Sequence, residues 1–139
     1  MRKLLFIISC FFTIAIQANN LKYWENVIEV IIEIESKGDV NAISPCGNCV
    51  GPMQIKKIVV DDCNEYLKIK KINKTYSYED RWNLQKSKEM FVLIQQRYNK
   101  TKNIEKAVRI WNGGCCYNKK NTEKYFNRFL SIFNEKSKV

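Results

Sequence analysis

Between Trp24 and Ser36 the chain carries four glutamates, and one of them is out of step with the others. On a helix advancing about 100° per residue from Trp24, Ile28, Ile31 and Ile32 fall near 40°, 340° and 80°. On the same roughly drawn wheel, Glu25, Glu29 and Glu33 fall near 100°, 140° and 180°, a polar side. Glu35 falls near 20°, inside the apolar stripe. A carboxyl against apolar surroundings resists ionisation, because burial disfavours the charged form. A group that must donate a proton near neutral pH needs that environment. The helix dipole gives a carboxylate no help at a C-terminal end. The other reading of Glu35 is a helix-end acid turned to solvent, and periodicity alone leaves both open.

Much other chemistry is excluded by composition. The 139 residues contain no His, which removes Ser-His-Asp triads, Cys-His pairs, HExxH zinc sites and imidazole switches. There is no GxxxxGK[ST] or GxGxxG string, so nucleotide chemistry has no support. Six cysteines are present: Cys10, Cys46, Cys49, Cys63, Cys115 and Cys116. Cys46-Gly47-Asn48-Cys49 has CxxC spacing, but Pro45, Gly47 and Gly51 make its surroundings read as loop, not as the strand–helix junction of a redox enzyme. Adjacent Cys115 and Cys116 are poorly spaced as zinc ligands. We expect no metal and no cofactor. We do expect at least one disulfide from the Cys46–Cys49 loop, with Cys63 as the partner.

Residues 1–18 have the layout of a secretory leader. Arg2 and Lys3 precede the apolar run Leu4–Ile16, and Ala18 offers a small residue for cleavage. The alternatives are an uncleaved anchor and lipidation at Cys10. The sequence thus divides into a leader, 1–18, and one domain, 19–139, that is exported to a periplasmic or extracellular space. There it has no stable membrane insertion and acts as a monomer. The whole chain has 24 Lys and Arg against 14 Asp and Glu, a net of +10. Because the basic residues are spread along the chain, they suit a solvated surface and an anionic polymer wall rather than nucleic acid.

The positioning elements read as helices. The first runs from about Lys22 to Glu35, with Asn20 as its cap. Ser36 to Gly51 is a loop with room for a short hairpin. Pro52 suits the first turn of a second helix reaching Tyr66. Lys68 to Ser77 is loop, and Tyr78–Trp82 a structural helix entry with a local ion pair. A third helix spans Asn83 to Tyr98. A fourth, capped by Asn103, carries Ile104, Ala107, Val108 and Trp111 at i, i+3, i+4 and i+7 and ends at Gly113-Gly114. Thr122 caps a last helix. The fold class is mainly α.

Taken in order, several of these pieces form a pattern: Glu35-Ser36, then Ala42, Ser44 and Gly47, then Gly51 and Met53-Gln54, then Trp111-Asn112-Gly113-Gly114, then Tyr125. This resembles the lysozyme-like lytic transglycosylases of the soluble (SLT) type, which are related to goose-type lysozymes. The likeness spans about Trp24 to Tyr125. There are departures. Pro52 stands where Leu is common, Trp111 where Tyr is usual and Gly113 where Ala is usual, and the stretch from Ser44 to Met53 is one residue longer.

The resemblance implies a lysozyme-like α+β fold and a peptidoglycan lyase with Glu35 as its single catalytic acid and base. Such an enzyme cleaves the β-1,4 bond between N-acetylmuramic acid and N-acetylglucosamine, leaving a 1,6-anhydro end. Ser36 would orient the helix end, and Ser44 and Gln54 would bond sugar amides. Asn112 would hold glycan or brace the acid's loop, Tyr125 would place its hydroxyl on Glu35, and Trp111 would be a stacking platform or core. The resemblance also implies that Glu35, Gln54, Asn112 and Tyr125 line one groove. Two alternatives stand beside it. A hydrolytic lysozyme would use Asp39 or the Asp61-Asp62 pair as a second carboxylate. A cationic muropeptide-binding protein would not catalyse at all.

Overall fold

A computed structural model describes residues 2–138, with side chains from Ala18 onward. The expected leader and the lipidation alternative at Cys10 fall almost wholly outside the residues whose side chains are described. The chain is mainly helical: α1 (Arg2–Ser36), α2 (Lys57–Ile69), a short 3-10 helix (Tyr78–Trp82), α3 (Leu84–Tyr98), α4 (Ile104–Gly113) and α5 (Lys119–Lys136). No helix among the described residues is long and apolar enough to cross a membrane. Asn20 lies inside α1 instead of capping it, because the backbone of the preceding run continues as the same helix.

Helix α3 is the centre of the domain. Met90, Phe91 and Val92 on it are fully buried, and α1, α2 and the 3-10 helix all pack against it. From α1 come Trp24, Val27, Ile28, Val30 and Ile31, from α4 Ala107, Val108 and Ile110, and from α5 Phe129. Each large apolar side chain removed from water in this way contributes about 1.5–3 kcal/mol.

The loop after α1 contains the only extended pairing among the described residues. Ile43 bridges Val50, and Val50 bridges Ile55, both antiparallel. This corrects the expected start of the second helix. Gly51 and Gln54 take positive φ (78° and 50°), and Gln54 N–H donates to Gly51 O at 3.1 Å. Residues 51–54 are therefore a tight turn between bridged segments, and Pro52 sits in that turn. The helix begins at Lys57.

The last helix, by contrast, begins earlier than expected. Asn118 caps it, its side chain accepting from Asn121 N–H at 3.3 Å. The Thr122 hydroxyl is one turn inside, donating to Asn118 O at 2.9 Å. Asn83 and Asn103 cap α3 and α4 through Lys86 and Lys106 N–H. The 3-10 helix carries a capping box between Ser77 and Asp80. Its expected local ion pair is absent: Asp80 pairs with Lys86 at 2.6 Å, while Arg81 is buried and donates to Tyr78 O and Ile55 O.

Candidate functional site

The expected alignment of Glu35 with the apolar stripe holds in three dimensions. Ile28 and Ile31, at i−7 and i−4 on α1, are fully buried, and Glu35 continues their line at the half-buried last turn. It opens into a groove of about 960 Å³ bounded by the ends of α1 and α4, the loop after α1, and α2 and α3. Ser44, Gln54, Trp111 and Asn112 line the same groove. Tyr125 reaches Glu35 from α5, 90 residues away, its hydroxyl donating to Glu35 Oε1 at 2.6 Å.

Burial pushes the Glu35 carboxyl above its ordinary pKa. The Tyr125 hydrogen bond and the charge of Arg128 oppose that rise without cancelling it. Tyr125 is itself raised, by burial and by the adjacent Glu35, so it remains a phenol and a donor. The arrangement occupies Oε1. Oε2 has no hydrogen-bond partner among the described residues and is the oxygen available to carry a transferable proton.

Ser36 ties the acid's helix end to the neighbouring turn. Its hydroxyl donates to Pro52 O at 2.8 Å and accepts from Gly38 N–H at 3.1 Å. Gln54 has a narrower capacity than its amide suggests. Its Nε2 donates to Ala42 O at 3.1 Å and to Gly51 O at 3.0 Å, so both protons are spent on the loop and the carbonyl oxygen alone remains for a ligand. Ser44 accepts from Cys49 N–H at 3.1 Å and lies 3.3 Å from Cys46 Sγ.

Trp111 is half in the core and half on the groove. It packs on Phe91 with centroids 5.2 Å apart and still lines the groove. Asn112 is exposed at the end of α4. The glycine at 113 has a local cause: a Cβ there would lie 2.7 Å from Thr122 Cγ2 and 2.9 Å from Tyr117 Cβ. Even an alanine here would force Tyr117 or Thr122 to shift.

The other acids near the groove are occupied. Asp62 holds Arg97 at 2.6 Å and accepts from the Tyr98 hydroxyl at 2.9 Å. Asp61 accepts from the Tyr78 hydroxyl at 2.9 Å. Asp39 folds onto Asn41 N–H at 2.8 Å and is not among the groove residues. Sequence reasoning did not single out Lys56, Glu65 and Tyr98 as groove residues, nor Arg128 as a neighbour of Glu35. Arg128 is three residues beyond Tyr125 on α5, a spacing that would have placed it beside Tyr125 on one helix face.

Cys63 is not available for the expected bridge. It is fully buried in α2, its thiol 3.6 Å from Met90 O, and burial raises its pKa. The five described cysteines are all free thiols. No family model, curated protein or solved structure matches this chain.

Proposed function

We propose that the chain is a peptidoglycan lytic transglycosylase, exported and acting on glycan as a monomer without a metal or cofactor. The observation that carries the reading is Glu35: one half-buried acid, bonded by Tyr125, opening into a groove whose nearby aspartates are already engaged. The ordered likeness from Glu35-Ser36 to Tyr125 supplies the substrate class.

In this reading Glu35, whose pKa burial raises, gives its proton to the oxygen of the MurNAc–GlcNAc bond as that bond breaks. Tyr125 bonds to the carboxylate that forms and holds it in place. Glu35 then takes the proton of the muramic acid 6-hydroxyl, whose oxygen attacks its own anomeric carbon. The 1,6-anhydro ring closes and Glu35 is protonated again. No water or second carboxylate enters, unlike in two-carboxylate glycosidases. The Gln54 carbonyl accepts from a sugar amide, Ser44 and Asn112 bond the glycan from the two rims, and Trp111 offers an apolar face to a sugar ring.

Clearance of purified peptidoglycan by the wild type and by Glu35→Gln tests this. The amide keeps the shape and cannot cycle a proton, so the variant should co-sediment with wall and release nothing. Near-wild-type release by the variant would remove Glu35 from the reaction. Equal co-sedimentation with no release by either protein would support the non-catalytic binder.

A further inference from the structure

The two cysteines of the Cys46–Cys49 loop share one side chain, Ser44. Ser44 N–H donates to Cys49 O at 2.9 Å, and Gly47 N–H donates to Ser44 O at 2.8 Å. Gly47 takes a φ of 73°, which lets the chain reverse inside the loop. The Ser44 hydroxyl oxygen lies within 3.3 Å of both the thiol of Cys46 and the backbone nitrogen of Cys49. Cys46 is exposed, and Cys49 lines the groove beside Ser44. The hydrogen bond with Ser44 is the largest cause lowering the pKa of the Cys46 thiol, the direction that favours nucleophilic attack.

The remaining thiols are poorer partners. Cys63 is sealed in the core. Cys115 and Cys116 are sequence neighbours whose sulfurs are 3.7 Å apart. Their Cα atoms are held about 3.8 Å apart by one peptide, less than the roughly 4.4–6.8 Å that an unstrained disulfide spans.

We propose that Cys46 and Cys49 form a reversible thiol–disulfide pair, and that closing it transfers the Ser44 hydroxyl from the loop to the groove. In the dithiol state Ser44 is held between the Cys46 sulfur and the Cys49 amide. A small-molecule disulfide is the oxidant. The Cys46 thiolate attacks one of its sulfurs, forming a mixed disulfide and releasing one thiolate. Cys49, deprotonated, then attacks Cys46 Sγ and releases the second. The protein loses two thiol protons, and the oxidant becomes two thiols. With Cys46 Sγ bonded to Cys49, the Ser44 hydroxyl loses its thiol partner and turns to the groove. Only the last link, that the freed hydroxyl meets an N-acetyl group, rests on the proposed glycan reading.

The test equilibrates the full chain in buffers of reduced and oxidised glutathione and maps the cysteines by alkylation and peptide mass. A link between Cys46 and Cys49, with Cys63 unreactive, is expected. Both thiols free in every buffer, or Cys49 linked instead to Cys115 or Cys116, would overturn the proposal. The amide resonances of Ser44 and Cys49 should shift on oxidation, and unchanged resonances with the bond formed would also overturn it. Affinity for chitotriose should rise about three- to tenfold on oxidation, the effect of one added hydrogen bond. Ser44→Ala should form the disulfide and lose that rise. Equal affinity in both states of the wild type would overturn the switch. If the resonances shift but neither state binds chitotriose, the switch stands and the glycan reading fails.

Discussion

Replacing Gly51 by alanine probes the turn on which the groove's near wall depends. Gly51 has a φ of 78°, and a Cβ there would lie 2.0 Å from Arg81 O and 2.9 Å from Arg81 C. Both are backbone atoms of the 3-10 helix, which cannot swing aside as a side-chain tip can. Arg81 is further fixed by its own hydrogen bond to Ile55 O at 3.2 Å. The positive φ costs alanine about 1–2 kcal/mol, and the overlap adds about 1–3 kcal/mol of forced displacement. The sum is a large share of the roughly 5–15 kcal/mol of a typical domain. Gly47 is the control. Its φ is 73°, but nothing lies within 4 Å of its Cβ position, so Gly47→Ala should lose the conformational part alone. Urea unfolding of both variants in reductant, followed by far-UV circular dichroism, should place Gly51→Ala about 1–3 kcal/mol below Gly47→Ala. Equal losses would refute the argument that contact with the 3-10 helix sets the residue at position 51.

Tyr125→Phe removes a hydrogen bond that favours the Glu35 carboxylate while leaving its burial in place. The Glu35 pKa should therefore rise further and the alkaline limb of the pH–activity curve move to higher pH, with activity down roughly tenfold or more; movement to lower pH would contradict this. Glu35 also links pH to stability. Its folded pKa is raised, so its contribution is fully present below the unfolded carboxyl value of about 4.3 and is lost as pH rises through the folded value. Across that window wild type should lose stability relative to Glu35→Gln, and thermal melts in which it gains would reverse the sign. Arg109, buried on α4, donates to Glu105, Glu123, Lys119 O and Thr122 Oγ1 and so joins α4 to α5. Arg109→Ala should cost about 1.5–3 kcal/mol in chemical denaturation, the loss of its hydrogen bonds to charged and backbone groups.

What could be read from the sequence follows from which interactions are local. Glu35 was identifiable because helical periodicity relates it to Ile28 and Ile31, and the structure buries both of those. Helix α4 starts where Asn103 offers a cap, and α3 starts one residue after Asn83, whose side chain caps it in the same way. The start of α2 was misplaced because Pro52 suits a helix's first turn as well as it suits a tight turn. What decides between them is the bridging of Val50 to Ile55 and the approach of Arg81, and the second comes from a distant part of the chain. Thr122 has the residue type of a cap, but Asn118 four residues earlier does that work, and Thr122 instead receives Arg109. The contact between Tyr125 and Glu35 spans 90 residues and follows from no local rule. It was expected only through the resemblance drawn from the order of motifs. The disulfide to Cys63 failed because spacing says nothing about burial, and α2 turns that thiol into the core.

The most direct measurement is mass spectrometry of the soluble fragments released from purified peptidoglycan. Glu35 acting alone, with the muramic acid 6-hydroxyl as nucleophile, predicts fragments ending in 1,6-anhydro-muramic acid, each lighter by one water than its reducing counterpart, and none from Glu35→Gln. Fragments with ordinary reducing ends would show that water is the nucleophile and would make Asp61, at the groove wall, the candidate second carboxylate. The absence of any released fragment from the wild type would contradict catalysis itself.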